Sequence, residues 1–447
     1  MNRIILIGNG FDLAHGLPTG YDNFINHYWD DFGYHVLNGY ARYQLEHFGV
    51  ANIKPYADNF ASVEIIDRKN TNTKELPVSN KEQNAYNELC RFINSYNQTE
   101  RFSDSIQLRF RNLLFERISA QSSLEDWVDI ENEYYRLLKS ICLDEKHIYE
   151  TPKELNLSLK HLEDKLIAYL TEIQEEQIKI KLICEEIQSK IFAPFNTKDI
   201  SVGAIEVFKQ FLKDRFDYAQ DEVKAKELLH KYGYSPLREW SDIEIYLKQI
   251  KSSTHIDKHE VHMNQVFSRN ESSIPSYFLL PEDILFLNFN YTSTASLYIP
   301  KQSGFRINHI HGELNNPDNP IIFGYGDEMD EDYKSILNLN ENDYLENIKS
   351  ICYLKTDNYR RLLTFIDSAP YQIIIMGHSC GNSDRTLLNT LFEHKNCVSI
   401  KPYYHQKDDG TDNYIDIIQN ISRDFNDMTL MRDRVVNKRY CQPLIAH

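Results

Sequence analysis

Apolar positions along this chain follow two regimes. Toward the two ends they form short continuous runs: Ile4 to Ile7, Ile284 to Phe289, Phe305 to Ile310, Ile321 to Phe323, Ile373 to Met376 and Val398 to Ile400. Runs of this kind mark strands buried on both faces, so they predict a parallel sheet. From about Asn38 to Pro281 the period becomes helical. Leu159, Leu162, Leu166, Leu170 and Ile173 recur at steps of three and four, and Ile180, Ile183 and Ile187 extend the stripe, predicting one long amphipathic helix. Val207, Phe211 and the stretch from Ile243 to Ile250 continue in the same style.

Because the whole helical stretch separates the first apolar run from the others, the predicted fold class is α/β, a Rossmann-like parallel sheet interrupted by a large, mostly helical insertion. The expected units are residues 1–37 with 281–405 as the α/β domain, 38–280 as the insertion, and 406–447 as a C-terminal segment packed on the core. Residues 50–100, rich in Asn, Ser, Lys and Glu, are expected as an exposed loop inside the insertion.

Chemistry enters where polar residues follow the apolar runs. Gly8-Asn9-Gly10 stands directly after the first run, where glycines permit a tight turn and close approach of a pyrophosphate to helix N–H groups. A bulky side chain at Gly10 is expected to fill the space the pyrophosphate needs. Asp12 is placed either to cap the following helix or to hydrogen-bond a ribose hydroxyl. Asn288, Asn290, Tyr291 and Thr292 close the second run, at the ligand side of an open α/β sheet. In His309-Ile310-His311-Gly312-Glu313, strand alternation points both histidines to one face. Met376-Gly377-His378-Ser379-Cys380-Gly381-Asn382-Ser383-Asp384 is again an apolar run, a small and polar turn, and then a helix from Arg385 to Glu393, suited to ribose or phosphate oxygens.

Charge and composition narrow the classes. A formal charge of -17 argues against nonspecific binding to nucleic acid, which needs clustered Lys and Arg. No run approaches the ~20 apolar residues of a membrane span, and the start at Met1-Asn2-Arg3 enters a strand without a signal region, so a cytoplasmic protein without membrane partners is expected. The seven cysteines are scattered and form no CxxC pair, which reads as reduced, mostly core thiols with no structural zinc.

The order of Ile-Gly-Asn-Gly-Phe-Asp-Leu-Ala-His-Gly-Leu-Pro-Thr from Ile7, Phe289-Asn-Tyr-Thr, His309-Ile-His-Gly-Glu-Leu, Phe323-Gly-Tyr-Gly-Asp-Glu and Gly377-His-Ser-Cys-Gly-Asn-Ser-Asp strongly resembles the phage abortive-infection family AbiH. More distantly it is similar to the sirtuin-type NAD-binding domains of bacterial defence proteins, which implies a sirtuin-type sheet. That resemblance implies NAD as substrate or ligand, Asn290 beside the nicotinamide ribose and His311 as the catalytic histidine. It also implies that Gly8, Asn9, Gly10, Phe11, Asp12, Gly377, His378, Ser379 and Asp384 bind the cofactor, with no metal. Asn9, Asp12 and Thr292 depart from the sirtuin-type alanine, serine and aspartate, and the paired-cysteine zinc module is missing, which disfavours deacetylation. A nucleotide ligand and a phage-derived trigger are the implied partners, and self-association of the chain stays open.

Two other readings compete. The same pocket could sense a nucleotide without cleaving it while the helical insertion acts. Alternatively Glu125-Asp126-Trp127-Val128-Asp129-Ile130-Glu131-Asn132-Glu133, with Asp126, Asp129 and Glu133 on one helical face, could serve a metal-dependent nuclease if it is not simply a solvated helix start. His255, His259 and His262 stand at i, i+4, i+7 and could gather three imidazoles. Tyr403-Tyr404-His405 reads as aromatic core or as a base-stacking edge.

Overall fold

A computed structural model of the chain describes residues 1–37, 53–68, 74–81, 84–99, 103–124, 129–143, 148–178, 183–252, 257–268 and 274–446. In chain order its strands are β1 (Asn2–Ile7), β2 (Tyr56–Ala57), β3 (Ala61–Asp67), β4 (Asp104–Phe110), β5 (Ile284–Asn288), β6 (Arg306–His309), β7 (Tyr371–Met376) and β8 (Cys397–Tyr403). The two terminal regions supply one five-stranded sheet in the order β6-β5-β1-β7-β8, parallel throughout. The fold is therefore α/β and Rossmann-like, as the continuous apolar runs require.

Alternation along each strand splits the sheet's side chains between two apolar layers. Ile4, Leu6, Leu285, Leu287, Ile373 and Ile375 pack with the helices Asn358–Ser368, Arg385–Phe392 and Tyr414–Arg423. Ile5, Ile7, Ile284, Phe286, Ile374 and Met376 pack with Ile187 and Ile191 of the helix Glu185–Ile191 and with Tyr298. Covering both faces satisfies the parallel sheet, which does not tolerate a wet side.

The strands end in register. Ile7 lies opposite Asn288 and Met376, and these lie opposite His309 and Tyr403. The chain runs outward from β1 to β5 and β6 and then crosses to β7, so the topological switch point falls between β1 and β7. Ligand crevices of open α/β sheets form there.

The intervening region is mostly helical but also holds a three-stranded antiparallel sheet, β2-β3-β4. The exposed loop expected over residues 50–100 is therefore corrected. Most of its described residues belong to β2, β3 and the helix Ala85–Gln98, whose Tyr86, Leu89, Cys90 and Ile93 are buried. The Asp67–Glu75 segment lies largely outside the described residues. The single long helix is corrected as well: Leu159 to Ile173 are buried along the helix Pro152–Ile178, Ile180 lies outside the described residues, and Ile187 belongs to the next helix on a different core. The Ile321–Phe323 run has no strand partner. It instead lies against the turn after β6, with the Ile322 amide donating to the His311 carbonyl at 2.8 Å.

Phe24 and Trp29 of the helix Tyr21–Val36 share one core with the Leu159–Ile173 stripe and with Tyr291, Phe323 and Ile348 from beyond β5. A second helical core gathers Phe208, Phe211, Leu247 and Phe278, with Met1 and Val398 from the sheet's other end. Among the described residues no helix is long and apolar enough to cross a membrane.

Candidate functional site

Where the parallel strands end, a cavity of about 490 Å³ opens between the turns that follow β1, β5, β6 and β7. The helices Tyr21–Val36 and Pro152–Ile178 close it from the insertion side through Tyr21, Asn23, Leu166 and Leu170. Gly8, Asn9, Gly10, Asp12, Asn290, His311, Gly377, His378, Ser379 and Asp384 all line it. Phe11 does not. It is fully buried and packs edge-on against Tyr298 beneath the sheet, because the one-turn helix Asn9–Leu13 points it inward.

The glycines serve the backbone before any ligand. The Gly10 amide donates to the Gly377 carbonyl at 2.8 Å and the Gly8 amide to the Met376 carbonyl at 3.2 Å. A Cβ on Gly10 would stand 2.8 Å from Gly377 Cα, and one on Gly8 2.5 Å from His378 Cα. Substitution at Gly10 thus breaks the contact between two turns, which corrects the expectation that it would act by filling pyrophosphate space.

Around the floor, polar side chains are fixed by one another. The Thr19 hydroxyl donates to Asn9 Oδ1 at 2.6 Å, and the Asn290 amide donates to the Gly8 carbonyl at 3.0 Å. The Thr292 hydroxyl donates to Asp12 Oδ2 at 2.6 Å, while Asp12 Oδ1 is buried without a hydrogen-bond partner. Burial pushes the Asp12 carboxyl up to about 6, against hydrogen bonds led by that of Thr292.

His311 is held by a buried ionic chain. Its Nε2 lies 3.1 Å from Asp384 Oδ1 and 3.2 Å from the Tyr353 hydroxyl, and Phe289 meets its ring edge-on. Asp384 Oδ1 also accepts from Lys349 Nζ at 2.9 Å, and the same ammonium donates to Glu131 Oε2 at 2.8 Å. Burial alone would raise the Asp384 carboxyl, yet Lys349 and then His311 hold it well below its ordinary range. Burial likewise opposes the charge on Lys349, but Asp384 and Glu131 raise it above a free lysine. Burial, followed by Lys349, lowers His311, so its ring is neutral at pH 7. Because the ionised Asp384 can only accept, Nε2 carries the ring proton and Nδ1 keeps the lone pair. That is the orientation logic of a histidine base set by a carboxylate.

Other expectations separate here. His309, expected on the same face as His311, does not line the cavity: β6 ends at His309, the chain turns, and its Nδ1 meets Asn288 Nδ2 at 3.1 Å. Ser379 sits exposed at the rim, its carbonyl taking the Asn420 amide at 2.8 Å. Asp384, expected at the diphosphate or ribose, instead backs His311. Of the acidic run, Asp126 lies outside the described residues, Asp129 caps the helix Ile130–Cys142, and Glu133 pairs with Arg136 at 2.7 Å. Asp129 and Glu131 both line the cavity, and Glu131 is the member tied to Lys349. His255 also lies outside the described residues, while His259 meets Asp217 at 2.8 Å and His262 is buried against Tyr246 and Phe278. Among the described residues no three His, Cys, Asp or Glu are grouped to hold a metal ion.

Lys349 and Tyr353 carry no signal in the sequence. Lys349 opens the short helix Lys349–Cys352 and Tyr353 the 3-10 turn Tyr353–Lys355, and neither stands beside an apolar strand run that would mark it.

The model for the family described as bacteriophage abortive infection AbiH matches residues 4–214 and 265–405. No curated protein and no solved structure matches the chain.

Proposed function

Starting from the bacteriophage abortive infection AbiH family, to which this chain belongs, we propose that its cavity binds NAD or a related nucleotide and hydrolyses the bond between ribose and base. A role in abortive infection follows from the family; the chemistry is inferred from the site. The observation that carries it is His311, neutral, oriented by an ionised Asp384, and lining the same cavity as Asn290 at the switch-point edge of the sheet.

In this reading a water adds to the anomeric carbon as the bond to the ring nitrogen breaks, its electron pair neutralising the pyridinium and releasing nicotinamide. His311 Nδ1 takes the proton from the water and returns it to solvent. The transition state is oxocarbenium-like, so it needs positioning and a base more than a nucleophile. Asn290, anchored to the Gly8 carbonyl, supports the ribose and the water. Asp384 and Lys349 position the imidazole without touching the reacting atoms.

The test is nicotinamide release from NAD by the purified chain, read by chromatography, beside calorimetric binding. His311→Ala should lower turnover roughly 10²–10⁴-fold and retain binding. If the wild type binds NAD but releases no nicotinamide under infection-like conditions, and His311→Ala still protects cells from phage, the pocket is a sensor and hydrolysis is ruled out.

A further inference from the structure

One helix of the insertion, Pro152–Ile178, reaches both the cavity and two of the turns that frame it. Leu166 and Leu170 line the cavity. The Tyr169 hydroxyl donates to the Pro18 carbonyl at 2.7 Å, and Gln174 Oε1 accepts the Ser293 amide at 2.8 Å. All of these contacts fall between Leu166 and Gln174, a span of about 12 Å of helix.

Each hydrogen bond lands next to a side chain of the site. Pro18 precedes Thr19, whose hydroxyl fixes Asn9 at 2.6 Å. Ser293 follows Thr292 in the turn that carries Asn290. Asn288 closes that turn from the strand side: its Oδ1 accepts the Asn290 amide at 3.1 Å and its Nδ2 donates to the Thr292 carbonyl at 3.1 Å. Asn288 thus sets the shape of the turn, while Gln174 sets where its far end stands relative to the turn after β1. Tyr169 is buried against the rings of Phe24 and His27, which makes the helix a fixed reference for both turns. Gln174 itself does not line the cavity.

Resting on the nucleotide reading above, we propose that Gln174 is a positioning residue: through the Ser293 amide it holds the Asn290 turn at the distance from the Asn9 turn that the chemical step needs. The insertion then governs turnover more than affinity. A displacement of about 1 Å leaves most ligand contacts in place but spoils the attack geometry, a loss of about a hundredfold in rate.

The test compares Gln174→Met, which keeps the length of the side chain and removes the acceptor, with Gln174→Glu, which keeps an acceptor. On the full chain, Gln174→Met should lower kcat for nicotinamide release by about tenfold to a hundredfold, with the calorimetric Kd for NAD within about threefold of wild type. Gln174→Glu should return kcat to within about threefold. Loss of packing alone would affect both variants alike, so equal rates in the two, or a wild-type rate in Gln174→Met, would overturn the assignment while leaving hydrolysis in place. Hydrogen exchange of residues 289–293 supplies a readout that needs no cleavage. NAD should slow it in the wild type and in Gln174→Glu but not in Gln174→Met. A wild type that releases no nicotinamide removes hydrolysis, and this exchange pattern then decides the positioning role; identical slowing in all three chains would remove that role as well.

Discussion

Burial raises the Asp12 carboxyl to about 6, with Thr292 foremost among the hydrogen bonds pulling the other way. An unfolded aspartate titrates near 3.9. Below that value the side chain is neutral in both states and costs the fold nothing. Between the two values the folded protein holds the extra proton, so stability falls as pH rises, and above about 6 the full cost is present, roughly 3 kcal/mol. Asp12→Asn should therefore be more stable than wild type at pH 7.5, with an advantage that shrinks as pH is lowered toward 5, read from denaturant midpoints. An advantage that grew toward acid pH would contradict the buried charge. Residue identities of this sort were only half legible in the sequence. Asp12 and His311 stand beside apolar strands and announce themselves, whereas Lys349 does not, because nothing in Asn347-Ile348-Lys349-Ser350 distinguishes a buried ammonium from a surface one.

Between the turns after β1 and β7, backbone meets backbone. Gly377 has φ +75°, and a Cβ there would stand 2.0 Å from the Phe11 amide nitrogen. Gly16 has nearly the same φ, +74°, with nothing within 4 Å. Gly16→Ala should thus cost only the conformational penalty of left-handed backbone, about 1–2 kcal/mol, while Gly377→Ala should cost clearly more, because the clash is added. Equal losses in equilibrium unfolding would mean that the turns do not need this approach. Elements were most legible where burial is two-sided, as in β1, β5, β7 and β8. They were least legible where a similar apolar run serves another purpose: Ile321–Phe323 backs the His311 turn, with Gly312 at φ +91° pressed against the Pro320 carbonyl. In residues 50–100 polar outer faces hid β3 and the helix Ala85–Gln98, although Tyr86, Leu89, Cys90 and Ile93 already keep helical spacing.

Lys349 joins the insertion to the sheet, since Glu131 begins a helix of the former and Asp384 closes the turn after β7. Lys349→Met would leave two buried carboxylates facing each other without a cation and should cost roughly 3–5 kcal/mol. Adding Glu131→Gln and Asp384→Asn should recover most of that loss in thermal denaturation; a single variant as stable as wild type would show that the ammonium is not what holds the two parts together. The join was invisible in the sequence because its members are scattered, whereas the discontinuous sheet was legible from the apolar runs alone. β1 occupies the middle of that sheet, between β5 and β7. During synthesis at about 5–20 residues per second, the roughly 280 residues between β1 and β5 take on the order of tens of seconds to emerge, and β7 follows later still. Until then a strand whose last four residues, Ile4 to Ile7, are all apolar has two open edges and no partner, the condition under which strands pair with the wrong chain. The yield of native protein in a cell therefore depends on how β1 is sheltered while the ribosome is still making its neighbours.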